Sequence, residues 1–95
     1  MILAAACGGP PPPFATAADA ERANVALAEL TRGRELVMSK CSACHRPPAP
    51  AEQRASEWPR WITEMHDRSK LDRQQHRLIV QYMVVMTEAL HPAKQ

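Results

Sequence analysis

The chain has 95 residues, enough for one small domain and a tail. Its formal charge is +2 with histidines neutral, and no dense basic run or aromatic platform accompanies that charge, which argues against nucleic acid as a partner. Large side chains are scarce, with one Phe, one Tyr and two Trp against nine Pro, so a domain this small is expected to need a staple: a disulfide, a metal or a covalent cofactor.

Met1–Cys7 reads MILAAAC, apolar and small, with no basic region before it, so no complete signal peptide is written here. The stretch resembles the tail of a bacterial lipoprotein signal, in which small residues precede a cysteine that becomes lipidated. That resemblance implies a membrane tether at Cys7 and a true start further upstream. Gly8–Pro13 reads GGPPPP, a polyproline II composition that suits a stiff spacer between anchor and domain. No apolar run is long enough for a spanning helix. Residues 1–14 are therefore read as signal remnant and spacer, 15–30 as a lead-in segment, and 31–92 as the domain proper.

Ala15–Leu30 is Ala-rich and predicts a marginal helix, because Val25, Leu27 and Leu30 are its only larger apolar residues. Thr31 is expected to cap a better helix over 31–40, with Gly33, Leu36, Val37 and Lys40 on one face. That helix runs directly into Cys41. Arg46–Ala51 reads RPPAPA and predicts an extended loop. A second helix is expected over Ala55–Asp67, with Ser56 as N-cap and Pro59 in its first turn. Trp58, Trp61, Ile62 and Met65 fall at i, i+3, i+4 and i+7, one apolar stripe opposite Arg60, Glu64 and Asp67. After a connection over 68–71, Asp72 and Gln75 form a capping-box pattern. The helix it starts carries Leu78, Ile79, Tyr82, Met83, Val85, Met86 and Leu90 on a broad buried face and ends before Pro92. No segment reads as a strand. The expected fold class is all-α, three to four short helices.

The chemistry-bearing motif is Cys41-Ser42-Ala43-Cys44-His45. Two cysteines separated by two residues span the two vinyl groups of a haem and can form thioethers with both. The histidine that follows directly supplies an axial nitrogen to the iron. The pattern predicts one haem c, attached through Cys41 and Cys44, with His45 as iron ligand. The competing reading is a zinc site or a redox thiol pair. Zinc would require a further close pair of ligands, and His66 and His76 lack that spacing. A thioredoxin-like role would require a βαβ context, which is not seen.

Taken together, Thr31 to His91 resembles the small bacterial class I cytochromes c. In that family a glycine precedes the first haem cysteine by eight residues, as Gly33 precedes Cys41. It meets a C-terminal helix that brings an apolar residue and, three later, an aromatic, a pair matched here by Ile79 and Tyr82. The run EWPRWITEM is also similar to a subgroup in which a Trp-led helix ends in a methionine after the haem motif. The resemblance implies a cytochrome c-like domain of short helices around the haem, in the bacterial periplasm or on the outer side of the cytoplasmic membrane. It implies an electron carrier rather than an enzyme, working as a monomer with transient redox protein partners.

The other axial position has several candidates by sequence: Met65, Met83, Met86 and His66. Met38 lies just before Cys41, on the attachment side. Met83 and Met86 sit inside an apolar helix face, where methionine usually fills core. His76 and His91 read as solvated residues. The subgroup resemblance selects Met65, and with it Trp58 and Trp61 as the pocket wall. Methionine opposite histidine raises the reduction potential. A weak or open sixth site would instead describe a haem-based gas-binding or sensing module. No nucleophile–base set, paired carboxylates or phosphate loop points to catalysis. Lys40 and Arg46 flank the motif and suggest a weak basic patch for partner docking.

Overall fold

The computed structural model describes residues 11–41 and 48–90, with the side chains of 66–69 left aside. All regular structure among these residues is helical. Four α-helices follow in order: α1 Ala17–Ala23, α2 Leu27–Lys40, α3 Trp58–Ser69 and α4 Arg73–Leu90. Two single 3-10 turns, Pro50–Glu52 and Ala55–Glu57, join the region after Cys41 to α3. The all-α expectation holds.

The lead-in segment is better formed than its composition suggests. Thr16 and Asp19 make a reciprocal capping box: Thr16 N–H donates to Asp19 Oδ2 at 2.8 Å, and Asp19 N–H donates to Thr16 Oγ1 at 3.2 Å. The helix stops at Asn24, which takes the left-handed conformation with φ 58° and ψ 46°, a position asparagine tolerates better than most residues. Arg22 reaches from α1 to both the Asp19 carboxylate and the Val85 carbonyl, and so ties α1 to α4.

Helix α2 begins at Leu27, four residues before the expected start, with Ala26 as its uncapped N-cap. Thr31 is therefore an exposed interior residue, not a cap. Propensity dominates here: AELTRGREL is rich in good helix formers, and the turn at Asn24–Ala26 sets the boundary. Helix α3 also departs from expectation. Ala55–Glu57 forms a 3-10 turn, Glu57 rather than Ser56 is the N-cap, and Pro59 falls within the first turn as its missing N–H allows. The helix runs on through Ser69, and Lys70 closes it at φ 57° in the left-handed region, where the expected connection had begun earlier. The Asp72–Gln75 capping box is present, with Gln75 N–H donating to Asp72 Oδ1 at 2.7 Å and Asp72 N–H to Gln75 Oε1 at 3.0 Å.

The main packing seam is α2 against α4. A Cβ built on Gly33 would lie 2.5 Å from the Leu78 carbonyl oxygen and 2.7 Å from Tyr82 Cβ. Only a residue without a Cβ lets the two backbones approach this closely. Around that crossing lie Leu30, Leu36, Val37, Leu78, Ile79, Tyr82, Met83, Val85 and Met86, all buried. Leu90, expected on the buried face, is 47% exposed.

The proline run is docked where the structure describes it, at Pro11–Pro13. Pro12 is buried, and its carbonyl accepts from Arg34 Nε at 2.9 Å. The Pro13 carbonyl accepts from the Tyr82 hydroxyl. The Arg34 guanidinium stacks 3.6 Å over the Phe14 ring. Pro12 and Pro13 thus lie along the domain. No helix among the described residues is long and apolar enough to cross a membrane.

Candidate cofactor site

Cys41 is the C-cap of α2, and its N–H continues the helix ladder to the Val37 carbonyl. The Gly33 crossing holds the N-terminal half of α2 against α4. The helix then delivers Cys41 two turns later into the shared apolar cluster, where it is 6% exposed. Burial pushes its thiol up to about 11 from an ordinary 9.0, so the surroundings disfavour a thiolate. A thioether sulfur carries no charge and suits this position. A zinc ligand or a redox thiol has to be deprotonated. The buried Cys41 sulfur thus fits the uncharged thioether that covalent haem attachment would make of it. Ser42 to Pro47, and with them Cys44, His45 and Arg46, lie outside the described residues.

The apolar stripe of α3 is real but unevenly covered. Trp58 and Ile62 are fully enclosed by protein, whereas Trp61 and Met65 are half-buried and keep open surface. The two indoles meet edge to face with centroids 5.4 Å apart. Met83 and Met86 are buried in the common core, which suits filling. Met38 is exposed, and His76 is half-buried on α4. The His66 side chain and His91 lie outside the described residues. Lys40 is half-buried beside Cys41.

One polar arrangement escaped the sequence reading. The Trp58 indole N–H points at Thr87 Oγ1, 2.8 Å away, and at the Pro50 carbonyl, 3.2 Å away. Thr87 Oγ1 also lies 2.6 Å from the Pro50 carbonyl and 2.6 Å from that of Met83. The signal was available: a buried indole N–H needs an acceptor, and Thr87 is a hydroxyl set within the apolar face of the last helix.

No family model, curated protein or solved structure matches this chain.

Proposed function

We propose that the protein is a monohaem c-type cytochrome that carries single electrons between redox partners. The observation that carries this reading is Cys41, the first residue of a C-x-x-C-H motif, set as an uncharged buried sulfur at the end of the helix that crosses α4 at Gly33. A haem held there supplies reversible one-electron exchange at iron. Cys41 and Cys44 would hold it covalently and His45 would ligate one face. Met65 would ligate the other. Its helix turns a partly open Trp61 and Met65 surface outward, the kind of surface a bound macrocycle covers, while Trp58 backs that surface from within the core. The location that goes with this reading is the periplasmic side of a bacterial membrane, with Cys7 as a lipid tether. Redox partners would dock transiently, over a small contact area.

The test is the optical spectrum of protein produced with cytochrome c maturation machinery. A pyridine haemochrome signature of covalent haem, with a ferric methionine–iron charge-transfer band lost in Met65→Ala, is the expected result. Absence of covalent haem overturns the reading. A high-spin resting protein whose ferrous spectrum changes with CO replaces the carrier by a gas-binding module.

A further inference from the structure

We propose that Thr87 is a positioning residue for α3, the helix that carries Trp61 and Met65: its hydroxyl joins the Trp58 indole and the Pro50 carbonyl and so fixes the start of α3 against α4. The inference rests on the haem reading above.

A threonine inside a helix often bonds back to the carbonyl four residues earlier, and such a bond says nothing about tertiary structure. Thr87 makes that contact to Met83, but two further partners set it apart. One is the Pro50 carbonyl, 37 residues away in sequence, and the other is the Trp58 indole, 29 residues away. The hydroxyl has one proton and two lone pairs. It accepts the indole N–H and gives its proton to one carbonyl. Thr87, Trp58 and Pro50 are all fully buried. Valine would fill the same volume without a polar atom to satisfy. A fully satisfied buried network confers a single fixed arrangement instead.

What it fixes is the start of α3, at Trp58. Pro48, next to Pro50 but one, is buried as well. Trp58 opens α3, and the same helix carries the half-buried Trp61 and Met65, so the pin sets where those two side chains stand relative to α4. Groups outside the ligand set that hold ligands in place tune a metal centre.

The experiment compares full-length, haem-loaded wild type with Thr87→Ser and Thr87→Val. A pyridine haemochrome assay comes first: wild type without covalent haem refutes the functional reading, and this proposal falls with it. With haem present, midpoint potential and amide exchange over Ala51–Gln53 are measured. Thr87→Val is expected to shift the potential and to speed exchange in that segment by roughly tenfold or more, while Thr87→Ser retains wild-type behaviour in both. Should Thr87→Val fail to accumulate, Thr87→Ala is read by the same criteria. A wild-type potential in the variant lacking the hydroxyl, or a serine variant displaced as far as the valine one, overturns the proposal.

Discussion

At the scale of single residues, Gly33 controls the fold. Replacing it with alanine improves helix propensity by about 1 kcal/mol. The same change places a methyl group 2.5 Å from a backbone carbonyl and 2.7 Å from Tyr82 Cβ. Neither neighbour is the free end of a flexible side chain, so α2 and α4 must separate. Overpacking of this kind costs about 1–3 kcal/mol and occasionally more, and the separation also disturbs every buried contact along the seam. The clash outweighs the propensity gain. Gly33→Ala is expected to lose about 1–2 kcal/mol net, read as a lower urea midpoint at unchanged slope. A midpoint equal to or above wild type would show that the crossing is looser than described. Cys41 caps the same helix, so on the proposed haem reading the variant should also take up haem less efficiently.

At the scale of elements, the ends of the helices separate what sequence makes legible from what it hides. The Asp72–Gln75 box and the face Gly33, Leu36 and Val37 were readable because both depend on spacing within one element. The start of α2 was not readable. Thr31 looks like a cap, but the break that matters lies at Asn24, whose left-handed turn ends α1 and lets α2 begin at Leu27. The Thr87–Trp58–Pro50 pin left half a signal: the indole and the hydroxyl on an apolar face are legible in the sequence, but that they meet each other and Pro50 is decided only in the tertiary fold. A pair of substitutions tests the helix ends. Thr16→Ala should cost about 1 kcal/mol by removing the cap acceptor, whereas Thr31→Ala should be neutral or slightly stabilising, because Ala is the better interior residue. Equal losses in thermal melts would reinstate Thr31 as a cap. Asp19 adds a pH dependence. The Thr16 backbone N–H, helped by Arg22, holds its carboxyl below the ordinary 3.8 despite the opposing effect of burial. A carboxylate with a lowered folded pKa contributes stability that is present above the unfolded value and lost as pH falls through the folded one. Wild type should therefore weaken below about pH 4 more steeply than Asp19→Asn, and Asp19→Asn should already be less stable at pH 7. Parallel pH profiles would remove Asp19 from the account.

At the scale of the whole molecule, the question is how much of the fold the protein builds alone. The α2–α4 seam is self-sufficient in kind: Gly33 brings the backbones together, and Leu30, Leu36, Ile79 and Tyr82 fill the space around them. Helix α1 is fastened to it through Arg22 and Asp19. Helix α3 depends on less, chiefly Trp58 and Ile62 within the core and the Thr87 pin, while Trp61 and Met65 remain half-open. The one Phe of the chain, Phe14, is 73% exposed and so adds nothing to the interior. A covalent haem against α3 would supply the apolar surface this half lacks, and a chain of this size has little stability to spare without such a staple. On the proposed haem reading, the two halves should therefore respond differently to loss of the haem. The Cys41→Ala/Cys44→Ala double variant is the suitable probe, because serine at the buried Cys41 position would add an unsatisfied hydroxyl of its own. Far-ultraviolet circular dichroism is expected to show much reduced helicity and no cooperative melt. Whatever amide protection survives should lie on α2 and α4, with α3 exchanging freely. A cooperative melt with α3 protected as in the haem-loaded protein would mean that the protein completes its own core, and the cofactor would then be a passenger in the fold rather than part of it.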